Sequence, residues 1–333
     1  MLKSEKNLKR HEIIPICIVI VLVFLLPRIL QSFEWWFLKF KSQRIKSSLP
    51  SWEETEKSHF GTLSFGMLDD DLKTLAGKIQ FVKELQGAVQ ARAFFIRPHP
   101  SKIFTWGFIE KEKGRYDWTI TDWVVKTVQD YNVHLLATIY SWNPWDQPGG
   151  VFDPWYLKEP HDWESYIAWL SAMVERYDGD GMNDMPGLRY PLRYFEIGNE
   201  IIFDRGNTVF TTLLKRSYDA IKKANPNAVV INGAIKYRNV ENFISEGLVD
   251  YIDAFNTHDV DLKDIPTLQA KVGKPVWFSE IIGGSPYEEM NREKEYGVAK
   301  KVFEIYPPVL SMGWKKFFLP SPVFLWAFLI EEF

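Results

Sequence analysis

Cysteine is almost absent. Cys17 is the only one in 333 residues, so the chain has neither an internal disulfide nor a cysteine-based zinc site. Internal repeats and low-complexity tracts are missing too, and 46% apolar with 16% aromatic residues is incompatible with a disordered or fibrous chain. No P-loop, dinucleotide glycine fingerprint or His-Glu-x-x-His occurs. Positive charge is scarce outside the first 50 residues: these hold nine Lys/Arg against three Asp/Glu, and the rest holds 31 against 40. So acidic a body repels a phosphate backbone, which argues against nucleic acid as a partner.

What is present at the start is a leader. Residues 1–12 form a basic flank with Lys3, Lys6, Lys9 and Arg10, and Ile13 to Leu26 are apolar throughout. With Arg28 as sole interruption the run reaches Leu30, close to the ~20 residues that span a bilayer. No small-x-small cleavage site follows, so residues 13–30 read as an uncleaved transmembrane signal-anchor. Residues 31–57 read as a juxtamembrane segment and linker, in which Trp35, Trp36 and Phe37 followed by Lys39, Lys41 and Arg44 suit an interfacial belt. These features predict a single-pass protein of the cell membrane.

Residues 58–333 form the predicted folded body. Short β-branched and aromatic runs alternate there with amphipathic stretches, the pattern of a parallel sheet. Candidate strands are 59–66, 90–97, 134–140, 192–198, 228–232, 251–257, 275–280 and 314–319. Helical stretches fall at 71–86, 119–131, 163–177, 208–224, 240–247, 265–271 and 293–305. Eight strands over this length predict an α/β fold, a (β/α)8 TIM barrel with the eighth helix short or missing. The run Asp69-Asp-Asp71 is expected to cap the first barrel helix.

In such a barrel reactive groups sit at the C-terminal strand ends. Two acids fall there: Glu200, after the apolar run 194–198 and Asn199, and Glu280, which ends Lys274-Pro-Val-Trp-Phe-Ser-Glu280. Cleavage of a glycosidic bond with retention needs two carboxyl groups about 5–5.5 Å apart, one attacking and one protonating the leaving oxygen.

Tyr194-Phe-Glu-Ile-Gly-Asn-Glu200 resembles the Asn-Glu signature that ends strand four in clan A retaining glycoside hydrolases. Phe104-Thr-Trp-Gly-Phe-Ile-Glu110 with Gly114-Arg-Tyr-Asp-Trp118 is similar to the stretch after strand two of beta-galactosidase-like and beta-xylosidase-like members. The resemblance implies Glu200 as acid/base, Asn199 on the sugar 2-hydroxyl and Glu280 as nucleophile, with no cofactor or metal; in those roles burial and the charge of Glu280 are expected to raise the pKa of Glu200. It further implies that Arg97 orients the nucleophile and that His258 stands near it at the end of strand six. Tyr287 is the candidate to replace a tyrosine that relatives carry after strand six. With a carbohydrate as the substrate, polymeric glycans and the export-like leader together predict an extracytoplasmic barrel.

Trp106, Trp142, Trp145 and Trp155 lie in loops after strands two and three and are candidate stacking platforms for sugar. Asp178-Gly-Asp-Gly181 with Asn183 and Asp184 looks superficially like a calcium loop but lacks the later bidentate Glu, and reads as structural. Phe195 and Ile201 stand where relatives usually have Trp and Pro, and Phe317-Phe-Leu319 lacks their strand-eight Trp. These departures keep open a second function, a non-catalytic carbohydrate-binding or scaffold protein on a degenerate barrel.

Overall fold

The computed structural model describes residues 26–64, 71–98, 102–150, 152–153, 158–200, 208–260, 264–280 and 316–320. Two compact units are present, residues 1–48 and residues 49–333. In the first, the described residues form a helix, α1, from Leu26 to Lys46. Most of the expected span, residues 13–25, lies outside the described residues, and no described helix is long and apolar enough to cross a membrane.

The second unit is a barrel of eight parallel strands: β1 (Phe60–Ser64), β2 (Phe95–Pro98), β3 (His134–Ile139), β4 (Tyr194–Ile197), β5 (Val229–Asn232), β6 (Phe255–Asn256), β7 (Val276–Phe278) and β8 (Lys316–Pro320). β1 pairs with β8 on one side and β2 on the other. Between β5 and β6 the ladder thins to one bridge, Ile231 to Ala254. Side chains stitch the gap: Asn232 donates to the Asn256 carbonyl (2.8 Å) and accepts from the Asn256 amide (2.9 Å), while Asp253 accepts from the Val230 amide (2.9 Å).

Because side chains alternate along a strand, each inward residue is followed two positions later by another. One inner layer is apolar and takes one residue from each strand or its edge: Leu63, Phe95, Leu136, Tyr194, Ile231, Ala254, Trp277 and Phe318. Two residues on, toward the C-terminal mouth, the alternation gives Arg97, Thr138, Glu196, Asn256 and Ser279, all buried. The apolar layer is thus a floor beneath a polar one.

Several expected boundaries move. The second strand begins at Phe95 rather than residue 90, because the helix Leu75–Gln90 outruns its predicted end and turns off through Arg92 at φ 57°. The sixth strand shrinks to two residues behind a 3-10 turn, Leu248–Tyr251. Thr74, not the acidic run, caps the first barrel helix, its hydroxyl accepting from Gly77. A Cβ on Gly77 would sit 2.0 Å from the Asp71 carbonyl, so only glycine fits. Part of the stretch read as linker, Trp52–Glu56, is a helix with a Ser51/Glu54 capping box that covers the barrel's N-terminal end. Trp52 stacks on Tyr190 at 4.3 Å, Glu56 pairs with Arg193 at 2.9 Å, and buried Lys316 donates to the Glu56 and Ser58 carbonyls. Burial lowers the pKa of Lys316 to about 7 and that of neighbouring His134 to about 3.

Candidate active site

The polar layer is organised by one cation. Arg97 is fully buried and reaches three acceptors: Nε donates to Glu196 (2.6 Å), Nη1 to Glu280 (3.2 Å) and Nη2 to Asn199 (2.5 Å). Burial opposes its charge, and Glu196 with Glu280 more than restore it, so its pKa rises. Glu196 also accepts from Thr138 (2.8 Å), Asn256 (2.8 Å) and Ser279 (2.7 Å). With every lone-pair direction taken, it is the anchor of the network rather than a reacting group.

The chain turns sharply as it leaves β4. Gly198 has φ 78° and Glu200 φ 40°, a left-handed backbone that costs a non-glycine residue about 1–3 kcal/mol. This turn delivers Asn199 and Glu200 to the mouth, facing Glu280 just beyond β7. One donor atom each of Glu200, His258 and Glu280 lie within 4.8 Å of one another. His258 Nδ1 is 3.2 Å from Glu200 and 4.0 Å from Glu280, and its Nε2 is 2.9 Å from the Ser279 hydroxyl. That hydroxyl has one proton, committed to Glu196, so it accepts from His258 and the imidazole carries its proton on Nε2.

The two facing acids differ in setting. The Glu280 side chain is 4% exposed and that of Glu200 37%. Glu280 is the more buried of the two, and its pKa is raised by burial first, with Arg97 and His258 pulling it down and Glu200 and Glu196 adding to the rise. Asn199 is buried, and its Nδ2 has no hydrogen-bond partner among the described residues.

Arg97, Asn199, Glu200, His258 and Glu280 thus come together as the sequence reading placed them. Of the tryptophans, Trp106 does not join them: its ring is fully buried and its N–H is given to Glu110. Trp145 packs edge-on against Trp106 and donates to the Glu110 carbonyl (2.9 Å). Trp106 thus packs the loop around buried Glu110, while Trp145 keeps its ring partly exposed. Trp142 is half-buried against Phe152, its indole N–H without a partner among the described residues. Tyr287 and Trp155 lie outside the described residues. In the acidic loop, Asp184 accepts from the Gly179 and Gly181 amides and Asp178 from Asp180, which explains its carboxylates as loop braces.

Sequence reasoning missed Glu196 and Ser279. The signal was present, since a charged residue inside Tyr194-Phe-Glu-Ile197 shares the inward parity of Tyr194.

No protein-family model and no curated protein sequence matches the chain. Solved structures do. It is similar to a family 39 glycoside hydrolase from the gut symbiont Bacteroides cellulosilyticus WH2, with 17% identity, TM-score 0.59 and coverage of 82% of this chain. The chain spans 58% of the length of that enzyme. It is also similar to xylanase 10B from Thermotoga petrophila RKU-1 (14% identity, TM-score 0.56, 82% of this chain and 85% of that one). A monomeric beta-xylosidase from Caulobacter crescentus CB15 gives 13% identity and TM-score 0.54 over 79% of this chain and 59% of that one. The likeness shows the fold, a (β/α)8 barrel such as these glycoside hydrolases have.

Proposed function

We propose that the protein is a retaining beta-glycosidase acting on an oligosaccharide or glycoconjugate. The observation that carries this is the approach of the Glu200 and Glu280 carboxylate oxygens to within 4.8 Å at the C-terminal mouth. That approach suits attack on an anomeric carbon held between them, as in retaining enzymes, whose two carboxyl groups stand ~5–5.5 Å apart. Glu280 is the nucleophile, held by Arg97. Glu200, the more open of the two, protonates the leaving oxygen, and once Glu280 is glycosylated it takes a proton from the incoming water. The unpaired Asn199 Nδ2 supplies a donor for a sugar hydroxyl, and Trp142 keeps a ring available for stacking. The raised pKa of Glu280 places the acid limb of the rate profile above the ordinary carboxylate range. In this reading the apolar leader anchors the chain in the cell membrane with the barrel outside.

The test is intact-mass analysis of the full chain after exposure to 2-fluoro glycosyl inactivators of the gluco, galacto, manno and xylo series, which trap the covalent intermediate. A mass gain with one sugar, lost in Glu280→Gln, is expected. Folded protein that gains no mass yet binds oligosaccharide would favour the carbohydrate-binding alternative.

A further inference from the structure

Helix α1 carries a face that the chemistry of the barrel does not use. Ile29, Leu30, Phe33, Trp36, Phe37 and Phe40 are each between 55% and 64% exposed. Their spacing of three and four residues gathers them into one stripe, while buried Leu38 and Ser42 lie on the opposite side. Trp36 stacks with Phe40 at 6.4 Å and lies 6.0 Å from Phe33, so the rings form a continuous surface along the axis. The rest of the helix is basic: Arg28, Lys39, Lys41, Arg44 and Lys46 against the single acid Glu34.

We propose that α1 lies in the plane of an anionic membrane, its aromatic stripe set into the boundary between headgroups and acyl chains and its basic residues on the lipid headgroups. The helix is amphipathic with too little apolar character to cross a bilayer, and its combination of Trp and Phe on one face with Lys and Arg beside it is that of an interfacial helix. Charge selects the lipid: a helix with five cations and one anion is drawn to an acidic surface. The same charge argues against a second copy, because two such stripes face to face would bring ten cations together with only two acids to offset them. Immediately before the helix the sequence is apolar from Ile13 to Leu25, which in an anchored chain brings the first turn of α1 to the bilayer. The inference is independent of what the barrel catalyses.

The experiment uses the full chain carrying Cys17→Ser, labelled in turn with an environment-sensitive fluorophore through Ile29→Cys, Phe33→Cys, Trp36→Cys and Phe40→Cys. Arg28→Cys and Lys39→Cys report on the polar side. The protein is reconstituted in phosphatidylcholine vesicles with and without about 30 mol% phosphatidylserine. Lipid-borne quenchers should place all four stripe labels at one shallow depth, with both polar-side labels in water. Phosphatidylserine should raise the inserted fraction of the stripe labels several-fold, and about 0.5 M salt should reverse that gain. The readout is the labels themselves, since residues 13–25 can hold the chain on any bilayer. A depth that changes steadily from Ile29 to Phe40 would show an inclined or spanning helix and overturn the proposal. So would stripe labels that remain in water, or labels shielded from water and lipid quencher alike, the mark of a protein partner.

Discussion

Replacing Arg97 by methionine, similar in length and uncharged, isolates what the guanidinium does for the barrel. In the native layer it serves Glu196 at 2.6 Å, Glu280 at 3.2 Å and Asn199 at 2.5 Å without contact with water. Arg97→Met leaves two buried carboxylates facing each other without their cation. Breaking a buried ion pair from one side costs about 3–5 kcal/mol. For a unit of roughly 280 residues, with an unfolding entropy of about 2.1 cal/mol/K per residue, this lowers Tm by about 5–8 °C. Adding Glu196→Gln removes one stranded charge while keeping the side-chain shape, and about 2 kcal/mol of the loss should return. Acid supplies an independent check. The pKa of Glu280 is raised in the fold, so its contribution is full below the ordinary carboxylate pKa and lost as pH rises through the folded value. Arg97 opposes that rise, and its removal pushes Glu280 higher still. The Tm gap between wild type and Arg97→Met should therefore close as pH falls, measured by tryptophan-monitored melting. A variant within 2 °C of wild type at neutral pH, or a gap that widens in acid, would refute the reasoning.

Lys316 is held neutral more readily in the fold, with its pKa at about 7, than in the unfolded chain, so wild-type stability should climb by up to about 1.4 kcal/mol per pH unit between pH 7 and 10. Lys316→Met should lose that climb; parallel denaturation profiles for the two proteins would contradict it. Trp106→Phe keeps an aromatic ring but takes the donor from one oxygen of the buried Glu110 carboxylate, the other still accepting from the Gly114 amide, and should cost about 1–3 kcal/mol with KM for a glycoside unchanged. A tenfold rise in KM at constant Tm would instead make the ring part of the sugar site. Asn232→Ala removes its two side-chain stitches across the β5–β6 gap and leaves that of Asp253, and a cost of about 2–3 kcal/mol with faster amide exchange at Asn256 is expected. Unchanged exchange there would show the gap closed by other contacts.

The tryptophans show where sequence reading stops. A Trp in a Pro- and Gly-rich loop has the same sequence context whether it waits for a sugar or packs a neighbour, and Trp106 and Trp142 differ only in what other segments do around them. The 3-10 start at Asp71 and the late onset of β2 have a similar origin. Both follow from where the helix Leu75–Gln90 starts and stops, several residues from where local pattern puts its ends.

The sequence by itself determined the eight strands and their order, and at β4 and β7 it placed an acid at each C-terminal strand end. It also contained the inward parity that puts Arg97, Glu196 and Ser279 in one layer. These properties are local: alternation, turn chemistry and short motifs act between residues a few positions apart. Tertiary structure alone decided which carboxylates meet, which of the two is buried, and that one guanidinium holds three partners. Arg97 is 99 residues from Glu196 and 183 from Glu280. Groups that distant in the chain are neighbours only because the sheet closes, and their charge states follow from that closure, since burial and opposing charge act through space.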